Sequence, residues 1–217
     1  MTVPGAPDHV NDALPTFEER PLALVRAAFD LVAEGGLERL RTRDVAARAG
    51  VNIATLHYYF ATKEKLIEGV ALYLASLFGS IRAPMVEAAE PNALDRLRQE
   101  FADARLYFDA QPQMVTVMQE LVLRSRRDPA VAQVVDPLRR FWKLSVEETL
   151  ALGVREGAFR PDLSPPLASG VIVAALWGAA TLPLAHEERE AVYRAIEQWI
   201  VAPPQSQSSM GAGHDAP

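Results

Sequence analysis

Residues 42–66 read TRDVAARAGVNIATLHYYFATKEKL. Two short helical segments are legible in this stretch, one on each side of Gly50. In the first, Arg43–Ala49, the apolar inner face is Val45, Ala46 and Ala49, and Thr42 is placed to cap the start. Gly50 stands where a left-handed residue closes a helix and turns the chain. Asn52 is then placed to cap a second segment that runs through Tyr59, with Leu56 and Phe60 facing inward. Thr62 is placed to cap a further helix from Lys63, along which Leu66, Val70, Leu74 and Leu77 share one side. The three neighbouring rings of His57, Tyr58 and Tyr59 do not fit one apolar stripe, because helical stripes recur every three or four residues. Some of them are therefore expected to face outward.

Outward from this stretch the period stays helical. Before it, a helix starts near Pro21, carries Leu22, Val25, Phe29 and Val32 on one stripe, and ends at Gly35-Gly36. Leu37 and Leu40 then pack a short connection. After it, helices are expected near Ala93–Ala110, Gln113–Arg127, Ala130–Leu152, Pro165–Leu182 and Glu187–Val201, with prolines near the boundaries. Pro137 falls inside one of them and should kink it or break it in two. Residues 1–17 and the tail from Pro203, PPQSQSSMGAGHDAP, read as disordered. No stretch sustains the alternation of a strand, so the fold class is all-α.

Composition narrows the function classes. The chain has 217 residues, 49% hydrophobic and 23% charged, as in an ordinary globular protein. Without cysteine there is no disulfide framework and no thiolate chemistry, and the four histidines do not pair at ligand spacing. No metal site, cofactor or enzyme activity is expected. A Gly-x-Ser-x-Gly elbow and a phosphate-binding loop are also missing. The N-terminus has neither a basic nor an apolar signal region, which favours the cytoplasm. Leu167–Ala185 is uncharged and long enough to be weighed as a membrane span. Its Ala and Gly content, Pro183 and the lack of a flanking basic cluster favour a buried helix instead.

Charge is unevenly placed. Residues 20–65 carry eight Lys or Arg against five acids, a net +3 in a chain of −6, so the remainder carries −9. That distribution suits a module that meets a polyanion while the rest stays away from it. Two short helices around a glycine turn, braced by a third in front, have the layout of a helix-turn-helix DNA-binding unit. Hydroxyls at Thr55, Tyr58 and Tyr59 and the ammonium of Lys63 are the residue types that phosphate contacts need. Arg41 and Arg48 read as solvated charges.

The run from Thr42 to Leu66, and more loosely from Pro21 to Leu77, resembles the signature of the TetR-type transcriptional regulators. "GVREGAFRPDL", residues 153–163, is a softer match to the same family. The resemblance implies an N-terminal three-helix DNA-binding domain over 18–65 and a larger helical effector-binding and dimerisation domain over 66–202. It implies a homodimer that binds double-stranded DNA at a palindromic operator and is released by a small molecule. Thr42 and Arg43 match the start of the second helix where it meets DNA. Ile53, Ala54, Thr55 and His57 match the recognition-helix positions that face the major groove, while Tyr59 and Lys63 match those that clasp phosphate. Tyr58 is a further candidate contact, with packing against the first or fourth helix as the alternative. Position 57 is more often Tyr in the family, and a histidine can change charge near neutral pH. Position 53, often polar there, is Ile here, so readout would be apolar contact such as with a thymine methyl.

In the C-terminal part, Met114, Met118, Trp142 and Trp177 are the candidate effector-pocket residues, since Met and Trp suit an adaptable apolar site. They point to an apolar small molecule. Gly170, Ala174 and Gly178 recur every four residues and leave a smooth strip. With Ile196, Trp199 and Ile200 and their symmetry mates, that strip would build a dimeric four-helix bundle. The competing functional reading is a helix-turn-helix protein with no small-molecule effector, acting architecturally or under a protein partner.

Overall fold

The computed structural model describes residues 18–80 and 91–201. The segments 1–17 and 203–217, expected to be disordered, lie outside the described residues. Among those described there are nine α-helices, α1 Glu19–Arg39, α2 Thr42–Arg48, α3 Ile53–Tyr59, α4 Lys63–Ser80, α5 Ala93–Arg105, α6 Pro112–Ser125, α7 Pro129–Glu156, α8 Pro165–Thr181 and α9 His186–Ile200.

The N-terminal helices follow the cues in their sequence. In α1, Val25, Phe29 and Val32 are buried on one stripe, and the backbone leaves helical geometry at Gly36, where φ is 74°. Only glycine takes that conformation cheaply, so the chain turns where the Gly pair stands. Leu37 and Leu40 are buried beyond it, as a packed connection requires. α2 closes with Gly50 N–H donating to the Ala47 carbonyl at 3.2 Å and Val51 N–H to the Ala46 carbonyl at 3.0 Å. With Gly50 at φ 69°, this is the double hydrogen bond of a Schellman ending. One expectation is corrected here. Thr42 does not cap α2; it is the first helical residue, and the flanking position is Arg41, which makes no side-chain cap. The Arg41 carbonyl instead accepts from Asp44 and Val45.

Asn52 does cap α3. Its Oδ1 accepts from the Thr55 N–H at 2.8 Å and from the Thr55 hydroxyl at 3.0 Å. Thr62 caps α4 through the Lys65 N–H at 3.2 Å. A Cβ placed on Gly69 would lie 2.9 Å from Val25 and 3.0 Å from Phe60, so α4 crosses α1 at a distance that only glycine permits.

Downstream, the helix expected over 93–110 changes character at its end. Leu106–Ala110 is a wider π-helical turn. It aims the Tyr107 hydroxyl at the Phe78 carbonyl of α4, 3.2 Å away, and Asp109 at Arg189 of α9, 2.7 Å away. α7 runs through Pro137 without being split. The carbonyl that Pro137 leaves without its helical partner is that of Gln133, and both residues are exposed, on the side of the helix open to solvent. Val131 and Val135 meanwhile hold the inner face in the core.

Burial divides into two clusters. The first joins α1–α4 to Met114, Val117, Met118 and Leu121 of α6 and to Val131 and Val135 of α7. The second joins α5, the latter half of α7, α8 and α9. Residues 153–163 tie the second together. Gly157 ends α7 at φ 72°, and Phe159 folds its ring onto Gly153, where a Cβ would collide with it. Arg160 N–H then donates to the Ile200 carbonyl at 2.9 Å. No helix among the described residues is long and apolar enough to cross a membrane.

Candidate nucleic-acid interface

α3 is seven residues long and buries only Leu56 within its span. The rest of its surface is therefore available. Ile53 is 39% exposed and Tyr58 is 82% exposed, and Ala54 and His57 are exposed as well. Thr55 and Tyr59 are half-buried, and Tyr59 packs against the first core cluster. So exposed, Tyr58 is not buried against α1 or α4 as its alternative reading required. Its ring meets Tyr59 edge-on, with centroids 5.0 Å apart. Arg43 is exposed near the start of α2, beside half-buried Thr42.

One cation was missing from the residues singled out in the sequence. Arg20, in the first turn of α1, lines a shallow cleft together with Asn52, Ala54, Thr55, Tyr58 and Tyr59. Its distance from the signature hid it; only its membership of the basic N-terminal run was visible. Two other cations are engaged. Arg48 forms a two-point ion pair with Glu34 at 2.7 and 2.9 Å, consistent with a solvated surface charge. This contact holds the Glu34 carboxyl below and the Arg48 guanidinium above their ordinary pKa values. Lys63, half-buried at the N-terminus of α4, donates to the Leu37 carbonyl at 3.2 Å. An ammonium has three protons, so two remain for a phosphate.

The face has the chemistry that duplex DNA requires. A short helix with a fixed N-terminus presents apolar, hydroxyl and imidazole groups, and cations stand at its margins. The cap matters because it pins the first turn, and that turn carries Ile53, Ala54 and Thr55.

The other candidate sets are only partly brought together. Met114 and Met118 are buried in the first core cluster, with Trp177 packed at its margin, whereas Trp142 packs against the second. The four are thus shared between the two clusters, with α6 packed against α1 and α7. On α8, nothing lies within 4 Å of a Cβ placed on Gly178, only Lys143 Cε at 4.0 Å approaches one on Gly170, and Ala174 is exposed. The smooth strip is thus uncovered by the other described residues. Ile196 and Ile200 need correction as contacts to a second copy. At 7% and 0% exposed they are spent in the chain's own core, while Trp199 remains 39% exposed. Leu167, Val171 and Leu182, exposed at 73%, 56% and 58%, extend the uncovered apolar surface.

Comparison with known proteins agrees with this geometry. Residues 24–70 match the family model described as bacterial regulatory proteins, tetR family. The chain is 32% identical over 157 residues to the HTH-type transcriptional repressor Rv3405c of Mycobacterium tuberculosis, covering 67% of this chain and 76% of that one. It is 29% identical over 155 residues to the HTH-type transcriptional repressor KstR2 of the same species, covering 71% and 76%. Among solved structures, a transcriptional regulator from Saccharomonospora viridis in complex with choline shares the fold with a TM-score of 0.73 at 19% identity, covering 85% and 99%. The ketosteroid transcriptional regulator KstR2 of Mycobacterium tuberculosis does so with a TM-score of 0.63 at 23% identity, covering 87% and 98%.

Proposed function

Because the chain belongs to the TetR family of bacterial DNA-binding transcriptional regulators, we propose that it acts as a homodimeric repressor, released from a palindromic operator by a small molecule. The observation that carries this reading is the capped α3 with its outer face uncovered. In this reading residues 18–65 are the DNA-binding unit and 66–202 the effector and dimerisation unit. Ile53, Ala54, Thr55 and His57 address base edges. Thr42, Arg43, Tyr58, Tyr59 and Lys63 address the backbone, and the protein works in the cytoplasm.

Support for a small-molecule effector comes from the neighbours. One was solved with choline, and another is a ketosteroid transcriptional regulator. Support for a dimer comes from the uncovered strip on α8 and from the exposed Trp199 of α9.

The test is selection of bound duplexes from a random pool and from fragmented genomic DNA by the full-length protein. The expected product is an inverted repeat with half-sites spaced by about one helical turn, ~34–36 Å, or slightly more. Enrichment of no sequence, or of unpaired half-sites only, would overturn the reading. The genes beside the enriched fragments then give the compounds to try as releasing ligands.

A further inference from the structure

Leu37 is held at both ends by charged side chains that lie far from it in the chain. Its N–H donates to Oε2 of Glu120 on α6, at 2.9 Å and across 83 residues of sequence. Its carbonyl accepts from Lys63 Nζ at the start of α4, at 3.2 Å. The Leu37 side chain is itself buried in the first core cluster. Gly36, just before it, is in the left-handed region, and a Cβ there would lie 3.2 Å from Oε1 of Glu120. The carboxylate therefore sits against bare backbone. One turn further along α6, Arg124 approaches Glu64, the neighbour of Lys63, at 4.0 Å.

A carboxylate accepting one backbone N–H in a half-buried place is an ordinary way to join two helices. What sets this contact apart is the other end of the same residue. The Leu37 carbonyl restrains the ammonium of Lys63, a flexible side chain that otherwise loses considerable rotamer freedom when it meets a phosphate. We propose that Glu120 is a positioning residue for DNA binding: by anchoring the Leu37 N–H it fixes the carbonyl that holds Lys63 ready for a DNA phosphate. This rests on the function proposed above. It gives α6 a route to the DNA face that does not pass through α3. The Leu40 N–H also donates to this carbonyl at 3.3 Å, so a displacement of α6 that frees the Leu37 N–H loosens the support of Lys63 and leaves the Leu40 contact in place.

The test uses full-length protein and a duplex enriched by the wild type, with affinity measured across a series of salt concentrations. Lys63→Ala should lower the salt slope by about one per subunit, which is the signature of one lost phosphate contact. Glu120→Ala should weaken binding about five- to tenfold, as the loss of one charge-assisted hydrogen bond does. It should also lower the salt slope toward that of Lys63→Ala, which a purely structural loss would not do. In the Glu120→Ala background, Lys63→Ala should add little. Glu120→Gln keeps an oxygen acceptor and should bind within about twofold of wild type.

An unchanged salt slope for Glu120→Ala, or an equal Lys63→Ala effect in both backgrounds, would overturn the proposal. If Glu120→Ala does not fold, backbone hydrogen exchange at Leu37 in the wild type decides. DNA should slow it, and equal exchange with and without DNA rejects the proposal. A wild type that enriches no duplex is a separate result, since it removes the DNA-binding function and this inference with it.

Discussion

Arg20 stands at the edge of the same cleft as Tyr58 and Tyr59, and its charge makes no ion pair with another described residue at 4.0 Å or less. A guanidinium in that position can bind phosphate in two-point fashion, so Arg20→Ala should weaken binding on every sequence alike. It should also reduce the salt slope by about one per subunit, read from the same titration as for Lys63. An unchanged slope would leave Arg20 outside the interface. His57→Ala should behave differently, because a base-edge contact changes which sequences bind best. The ranking of a panel of single-substituted operators should shift, and an identical ranking would tell against readout at that position. These residues were unequally legible in the sequence. Asn52 and Thr62 were readable as caps because cap chemistry is local, decided within three residues. Arg20 was not, since its relation to α3 exists only after α1 has folded across it. Thr42 has the right chemistry for a cap but sits one residue too late, and the turn closes through the Arg41 carbonyl instead.

The helices and their ends were the most readable level, because apolar period and glycine turns are properties of ten or fifteen consecutive residues. The purpose of a segment was harder to see. Residues 153–163 stood out as a motif, but nothing local says that Phe159 occupies the space over Gly153 or that Arg160 reaches the end of α9. Gly153→Ala would force the buried Phe159 ring out of place and should cost about 1–3 kcal/mol, as overpacking does in a filled core. Urea unfolding should show a lower midpoint, and an unchanged midpoint would mean that the ring moves freely. The π-helical turn was equally hidden, since one widened turn barely disturbs the apolar period. It lies beside a charged cluster joining α5 to α9, where Arg105 pairs with Glu190 at 2.6 Å and lies over the Tyr193 ring at 4.3 Å. Burial pushes the Tyr193 phenol from 10.0 up to about 12, with Arg105 opposing the rise. A raised value means that the folded state holds the proton more tightly. The resulting stability is complete below pH 10, falls between pH 10 and about 12, and is gone above. Thermal melts across that window should therefore decline more steeply for the wild type than for Tyr193→Phe. Parallel curves would show that Tyr193 titrates without linkage to folding.

At the scale of the whole molecule, sequence period shows that a helix has an apolar face but not what covers it. α6 illustrates the gap. Its methionines suggested a ligand wall, and their burial in the cluster formed by α1–α4, beside which Glu120 reaches Leu37, is a relation no period could show. α9 makes the same point, since Ile196 and Ile200 close the chain's own core. What is left uncovered is more informative. Leu167 and Val171 of α8 and Leu182 just beyond it remain exposed along the Gly170–Ala174–Gly178 strip, and Trp199 of α9 is exposed as well. Leu167, Val171 and Leu182 stand three or four residues from members of the strip and so share its side of the helix, an apolar side of the kind that monomeric proteins seldom leave in water. A second copy related by two-fold symmetry would cover it and would set two α3 helices side by side for an inverted repeat. Val171→Asp places a charge in the middle of that surface without touching either core cluster. Sedimentation should find the wild type dimeric at micromolar concentration and the variant monomeric with the same helical circular dichroism. Binding to the full inverted repeat should fall to the level of a single half-site, because each subunit then binds alone. A variant that stays dimeric would move the interface elsewhere, and a monomer that holds the repeat undiminished would separate DNA binding from assembly.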